Sequence, residues 1–259
     1  MFDLDGTLVQ RSPAGATPVA GAADVLAAIR ASGRPLVVFT NASHVGPERL
    51  AAGVRESGLH LGDDEVLTPI CSALSHLDRG HRGSRVLLLG TEPVASRMVS
   101  AGIELVPEAE AASADVVLVA HVDAVAMPVL EGAARAVIAG ARFLTASYAR
   151  AYAGANGPIL SRGAMMTAAI AKASGRRPAL VGKPSLAAVR EASRRLGVPS
   201  HEIAVIGDDV GMDIALGRLG GSRTVLVRSG ITGSDLEGVP PRRRPDLIVD
   251  AVGDILGLL

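Results

Sequence analysis

Short runs of β-branched and other apolar residues alternate with longer alanine-rich amphipathic runs along most of the chain. The apolar runs are typical of strands buried on both faces, and they predict strands over Pro35–Phe39, Arg85–Leu89, Val116–Val119, Ala179–Val181, Ile203–Ile206, Thr224–Val227 and Leu247–Val249. The amphipathic runs predict helices over Ala22–Ala31, Pro47–Ser57, Ser72–Asp78, Val94–Ser100, Met127–Ala139, Ala164–Ser174, Leu186–Leu196, Met212–Leu219 and Val252–Leu258. This alternation of strands and helices predicts an α/β fold with a mainly parallel sheet.

Composition excludes several classes of partner. The chain has 259 residues, 48% of them hydrophobic, and its formal net charge is zero, so we expect no nucleic acid partner. No apolar run approaches the length of a membrane span, and no signal peptide precedes the first motif, so we expect no membrane partner. Cys71 is the one cysteine. It can form neither a disulfide framework nor a thiolate zinc site, which favours a reduced, cytoplasmic setting.

The first candidate motif is Asp3-Leu4-Asp5-Gly6-Thr7. Two carboxylates at positions i and i+2 of an extended strand end point to the same side. An ordinary acidic turn would explain this segment equally well on its own. Only two residues precede Asp3, fewer than a strand usually contains, so the sequence predicts a shortened first strand.

A second motif, Phe39-Thr40-Asn41-Ala42-Ser43, follows a buried apolar run. The end of such a strand offers a threonine hydroxyl and free main-chain N–H groups to an anion. A helix N-cap supplied by Ser43 is the alternative, and for this segment alone it is the stronger one.

The third and fourth motifs carry a cation and a group of acids. Lys and Arg total 26, but only Lys172 and Lys183 are lysine, and Lys183 lies between Gly and Pro after an apolar run. A compact ammonium suits a phosphate oxygen or a carboxylate. Asp208 and Asp209 end a very apolar strand, and Asp213 follows where a helix begins. Burying these acids together is costly without a cation, which favours a hard divalent metal with oxygen ligands.

All four motifs follow hydrophobic strands, and in an open parallel sheet such strand ends converge on one crevice. Their content and order, from Asp3 to Asp213, resembles the haloacid dehalogenase (HAD) superfamily of phosphotransferases. The long insert between Thr40 and Lys183 is similar to the α/β cap of subclass IIA, the NagD-like or p-nitrophenylphosphatase group.

The resemblance implies the domain organisation and the type of substrate. We expect a Rossmann-like parallel-sheet core over residues 1–80 and 179–259, with an inserted α/β cap over residues 81–178. The group includes phosphoglycolate, glycerol-phosphate, pyridoxal-phosphate and nucleotide phosphatases, so the implied partner is a small-molecule phosphate ester. Dimers formed through the cap are common in the family, so a homodimer is one option, although no residue of the sequence establishes it.

The resemblance also implies the roles in catalysis. Asp3 would attack phosphorus and form an aspartyl-phosphate, while Asp5 would protonate the leaving oxygen and then activate water. Thr40 and Asn41 would hold the phosphoryl oxygens, and Lys183 would add positive charge. Dehalogenases of the superfamily typically lack an acid at the second position, so Asp5 favours phosphate chemistry over cleavage of a carbon–halogen bond.

A magnesium ion is the implied cofactor. Asp3, the Asp5 carbonyl and Asp208 would bind Mg²⁺, and Asp213 with Asp209 would orient the waters of the metal. The ion would offset the charge repulsion between a carboxylate nucleophile and a phosphate dianion.

Substrate contacts in the insert are less well defined by the sequence. The segment after Thr145 reads Ala146-Ser147-Tyr148-Ala149-Arg150, where many relatives have Asn-Pro-Asp near the substrate. Tyr148, Arg150 and Asn156 are our candidate substrate contacts, and His44 is a candidate for the rim of the site. An exposed loop residue is the alternative for each of them.

Other functions fit parts of this pattern. A phosphotransferase or phosphomutase would use the same covalent intermediate, and a cap decides whether water or a second substrate reaches it. A non-catalytic HAD-like binding protein is another alternative, suggested by the short first strand. Receiver domains also combine paired acids, Thr and Lys on an α/β sheet, but they are about half this length and lack the Asp-x-Asp-Gly-Thr start.

Overall fold

Strands and helices alternate along the chain, which confirms the α/β prediction. The computed structural model describes residues 1–12, 15–152, 159–232 and 236–258. Its strands are β1 Val9–Ser12, β2 Gly15–Pro18, β3 Val38–Phe39, β4 Val66–Leu67, β5 Val86–Leu89, β6 Val116–Val119, β7 Arg142–Thr145, β8 Ala151–Tyr152, β9 Ile159–Leu160, β10 Ala179–Leu180, β11 Ala204–Gly207, β12 Arg223–Val227 and β13 Leu247–Val249. Its helices are α1 Ala22–Ala31, α2 Pro47–Glu56, α3 Pro69–Gly80, α4 Glu92–Ser100, α5 Met127–Ala139, α6 Arg162–Ser174, α7 Leu186–Leu196 and α8 Ala215–Gly220.

The first sheet is parallel, with the strand order β13-β12-β11 on one side and β3-β4 on the other. Phe2 joins the two sides because it forms parallel bridges with both Val38 and Ile206. The Phe2 N–H donates to the Val37 carbonyl at 2.9 Å, and the Asp3 N–H donates to the Ile206 carbonyl at 2.8 Å. The short segment before Asp3 therefore lies at the centre of the sheet and is hydrogen-bonded on both edges.

The second sheet is also parallel, with the order β10-β7-β6-β5. Its strands β5, β6 and β7 lie within the insert predicted over residues 81–178, whereas β10 lies just past the predicted end. The Val181 N–H extends the pairing by donating to the Thr145 carbonyl at 2.9 Å. Lys183 therefore follows almost directly from this sheet. The division into core and cap stays a prediction.

Both sheets are covered by apolar side chains on their two faces. Phe2, Val38 and Ile206 pack in one cluster with α1 and α2, and Phe39 packs on the opposite face with α7. In the second sheet, neighbouring residues of β6 point to different clusters, as alternation along a strand requires. Parallel strands buried on both faces explain the uninterrupted apolar runs in the sequence.

Several elements differ from the sequence prediction. The strand predicted over Pro35–Phe39 is only Val38–Phe39, and the last predicted helix, Val252–Leu258, is a 3₁₀-helix. The helix predicted from Met212 begins instead with a π-turn, Val210–Ile214. The antiparallel hairpins β1–β2 and β8–β9 were not predicted. Among the described residues, no helix combines the length and apolar character needed to cross a bilayer.

Candidate active site

The ends of the central strands bring three of the predicted polar side chains together. Asp3 follows the Phe2 segment, Thr40 follows β3 and Asp208 follows β11. Because these strands are parallel, their carboxyl ends lie at the same edge of the sheet. All three side chains are buried, and all three line one cavity.

Lys183 lies between two of the carboxylates. Its ammonium Nζ is 2.5 Å from Asp3 Oδ1 and 2.6 Å from Asp213 Oδ1, and its side chain is only 2% exposed. Burial lowers the pKa of an amine, but Asp213 and Asp3 more than offset this, so the pKa of Lys183 is raised. Lys183 is therefore positively charged at neutral pH, directly beside the predicted nucleophile.

The buried acids form a compact cluster. One carboxylate oxygen from each of Asp3, Asp208 and Asp213 lies within 4.8 Å of the other two. Burial raises the pKa of Asp3, and Lys183 only partly opposes it. Burial, together with the charges of Asp3 and Asp213, raises the pKa of Asp208 to about 8. Burial also raises the pKa of Asp213 to about 6 despite the contact with Lys183. All three pKa values are raised, so one ammonium does not compensate for the burial of three carboxylates.

Close main-chain packing holds Asp208 in place. The Ile231 N–H donates to Asp208 Oδ2 at 2.7 Å, and the Thr7 hydroxyl lies 3.4 Å from Oδ1. Gly230 passes so near that a Cβ atom there would overlap the Asp208 carboxylate. The site therefore requires a residue without a side chain at position 230.

Asp209 and Asp213 take different positions although both lie in the acidic segment that follows β11. Asp209 Oδ1 accepts hydrogen bonds from the N–H groups of Gly211 at 2.6 Å and Met212 at 3.2 Å, so it caps the π-turn. Asp213, inside that turn, points back to Lys183 and accepts from the Asp209 N–H at 3.2 Å. The turn is what brings Asp213 into the carboxylate cluster.

Thr40 and Asn41 face different groups. Thr40 Oγ1 lies 3.4 Å from Asp5 Oδ2 and accepts a hydrogen bond from the Ala42 N–H at 3.0 Å. The Asn41 side chain instead bonds the main chain of Lys183: Nδ2 donates to the carbonyl at 3.0 Å, and Oδ1 accepts from the N–H at 2.9 Å. That Asn41 contacts phosphate stays a prediction.

Arg11 is a residue of the site that the sequence did not reveal. It projects from the β1–β2 hairpin and forms an ion pair with Asp5 through its Nε. Within the described residues, its Nη2 is buried and has no hydrogen-bond partner. The only available signal was a basic residue shortly after the Asp-x-Asp-Gly-Thr segment, in a stretch with no clear strand pattern.

The cavity above these groups has a volume of about 580 Å³. The site residues Asp3, Asp5, Thr40, Asn41, Lys183, Asp208, Asp209 and Asp213 all line it. Ser147, Tyr152, His44 and His121 are also part of the lining, and the last two make an edge-to-face ring contact with centroids 5.7 Å apart. His44 thus lies at the site, as its position in the sequence suggested.

The three candidate substrate contacts in the insert have different outcomes. Tyr148 is 46% exposed, and neither it nor Arg150 belongs to the residues that line the cavity. Asn156 lies outside the described residues. Their contact with substrate stays a prediction. Tyr152, which was not a candidate, is among the residues that line the cavity.

Family models match both ends of the chain. A haloacid dehalogenase-like hydrolase model matches residues 1–104, and a HAD-hydrolase-like model matches residues 180–255. Together they include every one of the buried acids and Lys183.

Individual relatives match over nearly the whole chain. The ribonucleotide monophosphatase NagD of Escherichia coli is 29% identical over 98% of this chain and 96% of its own length. The D-glycerol 3-phosphate phosphatase of Mycobacterium tuberculosis is 32% identical over 96% of this chain and 68% of its own length.

Solved structures agree in fold. The p-nitrophenyl phosphatase from Archaeoglobus fulgidus has a TM-score of 0.87 and 27% identity, covering 100% of this chain and 98% of that one. The M. tuberculosis glycerol phosphate phosphatase, solved in complex with magnesium, has a TM-score of 0.85 and 28% identity, covering 97% of this chain and 74% of that one. These matches confirm the HAD fold, and the chain belongs to the haloacid dehalogenase-like hydrolases, within their NagD-like group of phosphatases.

Proposed function

We propose that this chain is a magnesium-dependent phosphatase that hydrolyses a small-molecule phosphate monoester through an aspartyl-phosphate on Asp3. The observation that carries the proposal is the position of Asp3, whose carboxylate lies 2.5 Å from the Lys183 ammonium at the floor of a cavity. An anionic phosphate can approach an anionic carboxylate only where fixed positive charge offsets the repulsion. The buried ammonium supplies part of that charge.

Two steps use two carboxylates. An Asp3 oxygen attacks phosphorus, the bond from phosphorus to the ester oxygen breaks, and Asp5 in its acid form gives its proton to the leaving oxygen. Asp5, now a carboxylate, then takes a proton from water as that water attacks phosphorus, which releases phosphate and restores Asp3. Thr40 lies 3.4 Å from Asp5, close enough for its hydroxyl to contact a phosphoryl oxygen at the same place.

The acidic cluster fits a hard divalent cation. Its donors are carboxylate oxygens within 4.8 Å of one another, and oxygen is the ligand type that Mg²⁺ takes in proteins. We assign Asp3, the Asp5 carbonyl and Asp208 as the ligands, with Asp213 and Asp209 positioned to orient metal-bound waters. The bound ion would neutralise charge on the phosphoryl oxygens. The magnesium complex of the M. tuberculosis relative supports this choice of metal.

The setting of the enzyme follows from smaller observations. A cavity of about 580 Å³ accommodates a sugar- or nucleotide-sized phosphate, and relatives include a glycerol 3-phosphate phosphatase and a ribonucleotide monophosphatase. Closure of the second sheet over this cavity, as a cap, would exclude water during transfer. A single buried cysteine, Cys71, suits the cytoplasm. A homodimer is a further prediction that sizing by light scattering would test.

The decisive assay is release of phosphate from p-nitrophenyl phosphate with and without Mg²⁺. We expect magnesium-dependent turnover that Asp3→Asn abolishes. Asp24→Asn is the matched control, because Asp24 is an exposed residue of α1 outside the cavity lining. Full activity of folded Asp3→Asn, or equal rates with and without Mg²⁺, would rule out the mechanism.

A further inference from the structure

Asn41 holds the main chain of Lys183 in the manner of a paired strand. Its Oδ1 accepts the Lys183 N–H at 2.9 Å, and its Nδ2 donates to the Lys183 carbonyl at 3.0 Å. The second hydrogen of Nδ2 has Met212 Sδ at 3.4 Å. The Lys183 main chain fixes which way round the Asn41 amide lies, because the Lys183 N–H must face Oδ1 and the Lys183 carbonyl must face Nδ2. Both donor hydrogens of this side chain are therefore engaged.

Gly182 makes this approach possible. A Cβ atom at position 182 would overlap the Ala146 carbonyl and would lie 2.9 Å from Asn41 Oδ1 and 3.1 Å from Pro69 Cβ. The chain is thus compressed between the end of β7 on one side and the Asn41 amide on the other. Only a residue without a side chain allows both contacts.

Lys183 follows the second sheet by a very short connection. The pairing of β10 with β7 continues to the bond between the Val181 N–H and the Thr145 carbonyl, two residues before Lys183. Any movement of that sheet relative to the first would reach Lys183 through this connection. The amide of Asn41, one residue past Thr40, ties Lys183 to the first sheet.

We propose that Asn41 is a positioning residue, whose side-chain amide fixes the Lys183 main chain to the end of β3 and so sets where the ammonium meets the phosphoryl group. This rests on the proposed function. It replaces a direct contact between the Asn41 side chain and phosphate, because both amide hydrogens are engaged and a phosphate oxygen would have to displace the Lys183 carbonyl or Met212 Sδ. Contact between phosphate and the Asn41 main-chain N–H remains compatible with it.

A double-mutant cycle separates the two roles. Asn41→Leu keeps the side-chain volume close but removes the amide, and Lys183→Met removes the ammonium while keeping most of the stem. If Asn41 acts through Lys183, Asn41→Leu lowers kcat/KM for p-nitrophenyl phosphate by ten- to hundredfold in the wild type and by less than threefold in Lys183→Met. Losses that multiply in the double variant would overturn the proposal.

Thr40→Val serves as the internal control. Thr40 is assigned its own contact with phosphate, so the fold-losses in kcat/KM caused by Thr40→Val and Asn41→Leu should multiply in the double variant. That result would show that independent effects can be measured at this site. Circular dichroism and thermal melting establish that each variant is folded.

Phosphate binding gives the same cycle without turnover. Calorimetry gives the Kd for inorganic phosphate in Mg²⁺ for the wild type, Asn41→Leu, Lys183→Met and the double variant. These Kd values replace kcat/KM in the cycle if turnover of Lys183→Met is too slow to measure. A wild type that binds phosphate but hydrolyses no ester would refute the proposed function and still leave the cycle to decide on Asn41. Failure of the wild type to bind phosphate would overturn both.

Discussion

Replacing Lys183 by methionine should destabilise the metal-free protein strongly. The Lys183 ammonium contacts the carboxylates of Asp3 and Asp213 at 2.5 and 2.6 Å, and all three side chains are buried. Methionine fills most of the same space, so the change removes a charge and leaves little cavity. What remains is a pair of buried acids without their cation.

The expected size follows from this geometry. Removing one partner of a buried ion pair costs ~3–5 kcal/mol because the other charge stays buried and uncompensated. Since each kcal/mol lowers the melting temperature by roughly 2–4 °C in a protein near this size, the shift should be roughly 6–20 °C. The lower end applies if Asp213 takes up a proton, because burial already raises its pKa to about 6 with Lys183 present.

The assay is thermal melting at pH 7.5 in EDTA and in excess Mg²⁺, followed by a series from pH 8 to pH 5. Mg²⁺ should restore more stability to the variant than to the wild type, because a divalent ion substitutes for the missing charge. The pKa values of Asp3 and Asp213 are raised in the fold, so their ionisation costs stability as pH rises. The difference between variant and wild type should therefore shrink as pH falls.

The chain supplies a matched control, because it has only one other lysine. Lys172 lies on α6 with an exposed side chain, and Lys172→Met should change the melting temperature by no more than 1–2 °C, about the size expected for a surface substitution. A shift in metal-free Lys183→Met no larger than in Lys172→Met would refute the reasoning. So would a difference that grows as pH falls.

Three further predictions follow from single contacts. Arg11→Gln removes the cation that pairs with Asp5, the general acid that we propose, so kcat for p-nitrophenyl phosphate should fall about tenfold in a folded protein; an unchanged kcat would contradict this role for Arg11. Gly230→Ala would force the Asp208 carboxylate aside, and half-maximal activity should need at least about tenfold more Mg²⁺, since displaced ligands typically cost that much affinity; an unchanged Mg²⁺ requirement would contradict it. Burial raises the pKa of Glu65, but hydrogen bonds from Arg30 and the Gly62 N–H outweigh this and the net pKa is lowered. Glu65→Gln should therefore lower the melting temperature slightly at pH 7, and this loss should shrink as the pH falls through the lowered pKa of Glu65; a loss that does not change with pH would contradict it.

The sequence predicted the edge of the first sheet well because two independent patterns coincide there. Apolar runs such as Ile203–Ile206 must be buried, and the polar residues that follow them must lie where the strand leaves the sheet. Parallel pairing then aligns Thr40 with Asp208 at one edge without any knowledge of side-chain contacts. The rarity of lysine singled out Lys183 for a separate reason, namely the chemistry of a point charge.

The hairpin that carries Arg11 could not be predicted in the same way. The β1 sequence Val9–Ser12 buries only its first residue, so it has no apolar alternation to mark it as a strand. Its pairing with β2 and the ion pair with Asp5 decide its position, and both are tertiary contacts. A short polar strand of this kind carries no periodic signal of its own.

Placing a residue at the site does not determine which partner it takes. Asp209 and Asp213 are four residues apart and read as one acidic group, yet one caps a turn and the other meets Lys183. Asn41 follows Thr40 directly, but its amide bonds a main chain 142 residues away. These side chains bond the partners that tertiary packing brings within reach, because burial makes an unpaired polar group costly. The Lys183 main chain reaches Asn41 from the second sheet, through Val181 and Gly182. The role of Asn41 is therefore set by how the two sheets meet, and no sequence pattern around Asn41 or around Lys183 encodes that.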